Sequence, residues 1–189
     1  MSEKIFDFAI VLLGYTFRTV IKEFKKGNCA ILQTKNIDQW GDIVGEFPNT
    51  LFKKIPKNAL IEENDVIVSN RGNFKSALFK SFNGRIIANS SVYILRIIDK
   101  KLILPDYLSI YLNSRIGQSK LNSIKNQTLI KSISKKDLMN LRIQIPSLEK
   151  QMKIVNIYKS YKKWSIFQAK RANIYQLLTD YSINKIITS

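Results

Sequence analysis

The chain has 189 residues, 45% of them hydrophobic and 24% charged, enough for one domain with a packed core plus an extension. Its 31 Lys+Arg outnumber 14 Asp+Glu, giving a net charge of +17 that attracts polyanions through release of their counterions. There is no histidine, which excludes His-dependent triads and the common zinc sites, and the one cysteine, Cys29, permits no internal disulfide.

Nucleic acid is the polyanion that this balance favours, with a ribosomal surface or an anionic membrane as rivals. A single thiol suits a reducing cytoplasm, and Cys29, followed by Ala-Ile-Leu, reads as a small core residue. The apolar run from Ala9 to Leu13 is far too short to span a bilayer, and Ser2-Glu3-Lys4 opens no secretory leader. The chain is expected to be a soluble cytoplasmic protein.

In chain order, residues 29–33 form a short apolar strand candidate entered from Gly27 and Asn28, and Trp40-Gly41-Asp42 marks a turn. Residues 65–69, β-branched at Val66, Ile67 and Val68, are followed at once by Asn70-Arg71-Gly72-Asn73, a strand and then a turn. Residues 76–79, 85–88 and 92–97 continue the strand pattern, and Asn83-Gly84 predicts a hairpin between the first two. Pro105 suits the first turn of a helix and Asp106 its positive end. Leu108, Tyr111, Leu112 and Arg115 or Ile116 then recur at helical spacing, with Gly117 as a stop or bend. Ser134, three residues before Asp137, predicts a capped short helix to about Asn140. Residues 142–145 alternate polar and apolar, a half-buried strand closed by Pro146. The fold class expected for residues 1–146 is therefore α/β, a mixed α+β domain.

Residues 147–189 contain no Gly or Pro and predict one long helix. Ile154, Ile157, Tyr161, Trp164, Ile174, Leu178 and Tyr181 fall on steps close to three, four and seven, interrupted by Gln168 and Arg171. Lys159, Lys162, Lys163 and Lys170 occupy the other side. Such a helix extends about 60 Å at 1.5 Å per residue, too long to lie wholly against a domain of this size. A coiled coil with a partner helix is the economical expectation; the alternative is a core helix with a frayed polar tail.

Catalytic patterns are missing. No G-x-G-x-x-G follows a strand, and Asn89-Ser90-Ser91-Val92-Tyr93 lacks the prolines of an amino-methyltransferase site. Glu62, Glu63 and Asp65 come nearest to a nuclease cluster, but the strand beyond Asp65 carries no E-x-K, and a solvated turn is the expected role.

Several segments, in order, resemble the specificity subunits of type I restriction-modification systems. Gly14-Tyr15-Thr16-Phe17-Arg18 and Gln33-Thr34-Lys35-Asn36-Ile37 fit the "GyTfR … iqtkNId … G" opening of one branch. Residues 64–72 match a "gDvl-s-rG" phrase, with Asn64 where glycine is commoner. Leu104-Pro105-Asp106-Tyr107-Leu108, followed by residues 113–118, is similar to "peYL … l-S--gq". Ile143-Gln144-Ile145-Pro146-Ser147-Leu148-Glu149-Lys150-Gln151 is similar to the family's strand end, Ile-Pro phrase and Glu/Gln-containing helix start.

The resemblance implies a non-catalytic subunit whose target recognition domain lies on double-stranded DNA and reads bases in the major groove from loops. Arg or Lys can bond guanine there, and Asn or Gln adenine. The candidates on turns are Arg18, Arg71, Asn73, Lys75, Asn83, Arg85, Asn126, Gln127 and Lys131, each alternatively a phosphate contact or a solvated side chain. Arg71 alternatively braces its own turn.

The terminal helix would be a spacer helix, paired antiparallel in the family between two recognition domains. Methyltransferase subunits holding S-adenosylmethionine dock around it, and a restriction-translocase subunit is a further partner; the chain itself is expected to bind no cofactor and no metal. It departs from the family plan in carrying one recognition domain and one helix, a half-subunit. Two copies pairing their helices would read an inverted repeat with a fixed gap. The alternatives are a silent or truncated recognition cassette, a fragment of a longer chain, a basic nucleic-acid-binding scaffold, or a compact nuclease acting through Asp65.

Overall fold

The structure is a computed structural model describing residues 2–21, 23–24, 26–126 and 131–188, so Gln127 lies outside the described residues. The chain divides into two compact units, Met1–Met152 and Lys153–Ser189. Along the first run β1 (Ser2–Lys4), α1 (Ile5–Phe8), β2 (Ala9–Leu13), β3 (Cys29–Leu32), β4 (Asn49–Thr50) and β5 (Val66–Ser69). Next come β6 (Ser76–Leu78), β7 (Ile86–Ala88), β8 (Val92–Ile97), α2 (Pro105–Asn113), α3 (Arg115–Ser123), α4 (Lys135–Asn140) and β9 (Arg142–Gln144). A final helix, α5 (Leu148–Thr188), has 41 residues. The architecture is thus the expected mixed α+β domain with a long C-terminal helix. No helix among the described residues is long and apolar enough to cross a membrane.

The strands form three sheets. β2-β8-β5-β6 is antiparallel throughout, β4-β3-β7 pairs β3 parallel to β7, and β1 pairs antiparallel with β9. β5 is buried along its whole length between β8 and β6, which accounts for its continuous apolar run. Along β3, Ala30 and Leu32 join Ile67 and Ile94 in one core, while Cys29 and Ile31 join Ala59 and Ile87 in another. The two-residue period therefore buries both faces of the three-stranded sheet. Burial also pushes the Cys29 thiol pKa up, as suits a core residue. Helix α2 packs against β5 and β6.

Three local expectations need correction. The Asn83-Gly84 hairpin does not form, because β6 pairs with β5 and β7 with β3, in different sheets. A type I′ turn needs positive φ at both central residues; Gly84 has it at +121°, and Asn83 does not. The helix from Pro105 breaks at Ser114, whose hydroxyl accepts from the Gly117 N–H at 3.2 Å and donates to the Tyr111 carbonyl at 2.6 Å. Gly117 lies inside α3 rather than stopping a helix; a Cβ there would collide with the Tyr111 carbonyl oxygen. Residues 2–13, for which the sequence predicts no element and only the apolar run Ala9–Leu13 stands out, supply β1, α1 and β2.

The Ser134 cap forms as its spacing predicts. Its Oγ accepts from the Asp137 N–H at 3.1 Å and donates to the Asp137 carboxylate at 2.5 Å.

Candidate nucleic-acid interface

The turn after β5 is built from below. Ser69 is fully buried and its hydroxyl donates to the Arg71 carbonyl at 2.8 Å. The buried Asn70 side chain donates to the Ser90 carbonyl at 2.9 Å, and the Asn70 N–H to Ser91 O at 3.0 Å. A second segment is stitched along the same turn by its backbone. Ile133 N–H bonds Asn70 O at 3.0 Å, Gly72 N–H bonds Lys131 O at 2.9 Å, and Asn126 N–H bonds Ser132 O at 2.8 Å. Gly72 takes φ of +69°, which lets the chain reverse here.

The outcome is a strip that holds Arg71, Asn73, Asn126 and Lys131 together, all four exposed. Lys75, on the same turn, is different. It is half-buried, and its ammonium donates to the Ile37 carbonyl at 3.2 Å.

The other candidates sit elsewhere. Arg18 rims an open cleft in which the Tyr15 ring meets Phe17 and Phe52 edge-on, at 4.9 and 5.5 Å between centroids. Asn83 and Arg85, both exposed, border a smaller cleft with Asn28 and Asn49. Both clefts lie beside the three-stranded sheet rather than on the 71–131 strip.

The acidic cluster is solvated in part: Glu62 and Glu63 are exposed, but Asp65 is not. Asp65 is 1% exposed and receives Arg96 Nε at 3.0 Å, Arg96 Nη2 at 2.8 Å and the Glu62 N–H at 2.7 Å. Arg96 reaches Glu62 as well, at 2.7 Å, and the Leu60 carbonyl at 3.0 Å. Hydrogen bonding to Asp65 is the main cause that raises the Arg96 pKa. Among the described residues no group of three or more His, Cys, Asp or Glu side chains is placed to hold a metal ion.

Sequence reasoning missed the architectural work of several phrase residues. The fully buried Gln151 side chain donates to Leu102 O at 2.9 Å and Pro146 O at 2.8 Å and accepts from Leu104 N–H at 2.8 Å. It fixes the first turn of α5 to the segment leading into α2. Asn36 is 2% exposed, accepts from Gln33 N–H and donates to Val44 and Glu46 carbonyls, closing the loop after β3. Asn64 takes φ of +71°, a conformation glycine adopts without penalty and asparagine tolerates, and this explains the exchange at that position of the phrase.

In the second unit, Ile154, Ile157, Tyr161, Trp164, Ile174, Leu178 and Tyr181 are 38–69% exposed. Tyr161 and Trp164 stack at 6.3 Å with 29° between planes, and the Arg171 guanidinium lies 5.4 Å from the Tyr175 ring centre. Phe167 is also exposed, at 62%, and adds to this apolar surface beside the seven seam residues.

A family model described as "Type I restriction modification DNA specificity domain" matches residues 19–176. Among curated proteins nothing matches. Solved structures do. A chain from a structure described as the basis of complex assembly and conformational transition of the type I R-M system superposes at TM-score 0.68 with 18% identity, covering 91% of this chain and 40% of that one. The type I restriction-modification S subunit from M. genitalium gives TM-score 0.59 and 16% identity, over 86% and 39% of the two chains. The HsdS subunit from Thermoanaerobacter tengcongensis gives 0.60 and 17%, over 91% and 39%. At these identities the likeness is one of fold, and the chain spans about 40% of the length of the solved chains it matches.

Proposed function

The chain belongs to the family of type I restriction-modification DNA specificity domains, and from that premise we propose that it selects the DNA sequence on which separate methyltransferase subunits act. It catalyses nothing itself. The single observation that carries this reading is the exposed strip of Arg71, Asn73, Asn126 and Lys131, two cations and two amides held in place by backbone pairing. Cations hold phosphates or guanine edges, and amides fit adenine edges. The +17 charge supplies the sequence-independent attraction to the duplex.

The proposed division of labour falls at Pro146. Residues 1–146 recognise DNA; residues 147–189 form a spacer helix that pairs with the same helix of a second copy in a coiled coil. The two recognition domains so joined read a split target with a fixed gap. Partner methyltransferase subunits dock on this assembly and bring the methyl donor, and a restriction-translocase subunit joins in the same way. The setting is the cytoplasm.

Co-expression with the neighbouring methyltransferase subunit, followed by mapping of methylated adenines, tests the reading. One split motif that appears only when both are present is expected. A palindromic motif fits two identical copies, and an asymmetric one puts the second recognition domain on another chain. No new methylation from folded, co-purifying protein would leave a silent cassette, and no association would favour a nucleic-acid-binding scaffold.

A further inference from the structure

α5 carries a second feature besides its apolar seam. With Ile154 and Ile157 at heptad positions a and d, Tyr161 and Trp164 repeat a and d one heptad later. Lys159 then falls at f, Lys162 at b, and Lys163 and Lys170 at c. Positions f, b and c face away from the a/d seam of these two heptads, so a partner helix that covers it leaves Lys159, Lys162 and Lys163 outward, while Lys170, three residues after Phe167 and four before Ile174, borders the apolar face. Lys159, Lys163 and Lys170 are exposed and Lys162 is half-buried.

The flanks of the seam hold Tyr158, Ser160, Ser165 and Phe167, which offer no charge for pairing between helices. The sequence contains no carboxylate between Glu149 and Asp180, while Lys150, Lys153, the four stripe lysines and Arg171 lie within that stretch. Surface helices that only need solvation usually mix both signs at three- and four-residue spacing. This one places like charges at that spacing, on one face, over about 16 Å from Lys159 to Lys170. That length matches about five base-pair steps of duplex at 3.4 Å each.

We infer that the Lys159–Lys162–Lys163–Lys170 stripe is a sequence-independent binding surface for the phosphate backbone of duplex DNA. It rests on the DNA-recognition reading above and adds a second contact outside the base-reading strip. Its role is to hold the duplex along the spacer helix without choosing among sequences. Phosphate contacts of this kind release counterions, so they are read in the salt dependence of binding rather than in base preference.

The test uses the full chain and a variant with Lys159→Gln, Lys162→Gln, Lys163→Gln and Lys170→Gln, glutamine keeping the helix propensity close to that of lysine. Binding to a duplex with the methylated motif and to one without it is measured over a range of salt, with circular dichroism as the control for helix content. The variant is expected to lose roughly 0.9 in the slope of log K against log salt for each phosphate contact removed. Both duplexes should weaken by the same factor, leaving their ratio unchanged. An unchanged slope with intact motif preference overturns the stripe while the recognition reading stands. If that unchanged slope comes with lost methyltransferase co-purification, the surface serves an acidic protein instead. A wild-type chain without motif preference, whose slope still falls in the variant, would keep the stripe and overturn sequence recognition.

Discussion

Arg96 closes on Asp65 as a two-point ion pair between a strand and the turn that enters its neighbour, Nε to Oδ1 at 3.0 Å and Nη2 to Oδ2 at 2.8 Å. Asp65 stands just before β5 and Arg96 lies within β8, so the pair ties the 60–65 turn to the sheet beside it. The carboxylate is 2% exposed and the arginine 26%. Removing Asp65 leaves a partly buried guanidinium with one partner fewer, at a cost of about 2–3 kcal/mol, less than for a fully buried pair. Asp65→Ala is therefore expected to lower the denaturant midpoint markedly. Metal-dependent cleavage by the wild-type chain, lost in this variant without a change in stability, would restore the nuclease reading.

The same pair marks what was legible in the sequence. β5 and β8 stand out because the fully buried stretch of each central strand is apolar, Val66–Val68 in one and Val92–Leu95 in the other. The buried ion pair does not, since nothing local in Glu62, Glu63 and Asp65 announces an arginine thirty residues on. Non-local pairing hid β1 too, whose Ser2 registers with Gln144 of β9. Asn83-Gly84 misled for the converse reason, because a local turn signal says nothing about which sheet each flanking strand joins. At the candidate interface the residue types were readable from the turns. That Arg71 shares a strip with Lys131, whereas Lys75 spends its ammonium on Ile37, depends on contacts between distant segments.

Gln151 offers a second test of architecture. Its amide satisfies three backbone groups, so Gln151→Leu keeps the volume but strands the Leu104 N–H and two carbonyls. A loss of about 2–4 kcal/mol is expected from such unsatisfied groups, read as a lower melting temperature. A melting point unchanged in Gln151→Leu would mean that water replaces the amide.

Alkaline pH should weaken the first unit through Tyr107. Its hydroxyl is buried and donates to the Gln144 carbonyl at 2.7 Å. Burial, with Tyr111 beside it, pushes its pKa up from 10.0 to about 12. The folded value lies above the unfolded one, so the stabilisation is complete below about pH 10 and is lost as the pH rises through about 12. Urea midpoints measured across that window should fall for the wild type. Tyr107→Phe should start lower, having lost the hydrogen bond, and fall less steeply. Parallel pH curves for the two proteins would exclude Tyr107 as the responsible group.

On the recognition strip, Arg71→Ala and Lys131→Ala are expected to reduce the salt slope of DNA binding by roughly 0.9 each where the lost contact is a phosphate. Asn73→Ala and Asn126→Ala should instead relax the preference at one base pair, by about 1–3 kcal/mol of discrimination for a two-point contact. Lys75→Ala should change the slope less than Arg71→Ala, because its ammonium already bonds the Ile37 carbonyl. Methylation mapping of each variant separates the two classes. Unchanged affinity, slope and motif in all four strip variants would move recognition to the clefts bordered by Arg18 and Arg85.

The seam on α5 makes the remaining prediction. Ile157 and Trp164 are 69% and 58% exposed, and apolar side chains at a/d spacing gain stability only when a second helix covers them. Ile157→Asp with Trp164→Asp puts charge into that contact, while the first unit keeps its own core. Sedimentation should therefore show wild-type dimers and variant monomers with the same unfolding transition for residues 1–152. In co-expression the variant should lose split-motif methylation, because one recognition domain alone reads half a target. Leu178→Asp probes the far half of the helix, where the apolar face has turned toward Phe167, Ile174 and Tyr181. Each of the two variants should disrupt pairing if the helices run antiparallel, since the near half of one copy then meets the far half of the other. Wild-type protein that sediments as a monomer at micromolar concentration would rule out the paired spacer and assign the seam to a different partner chain.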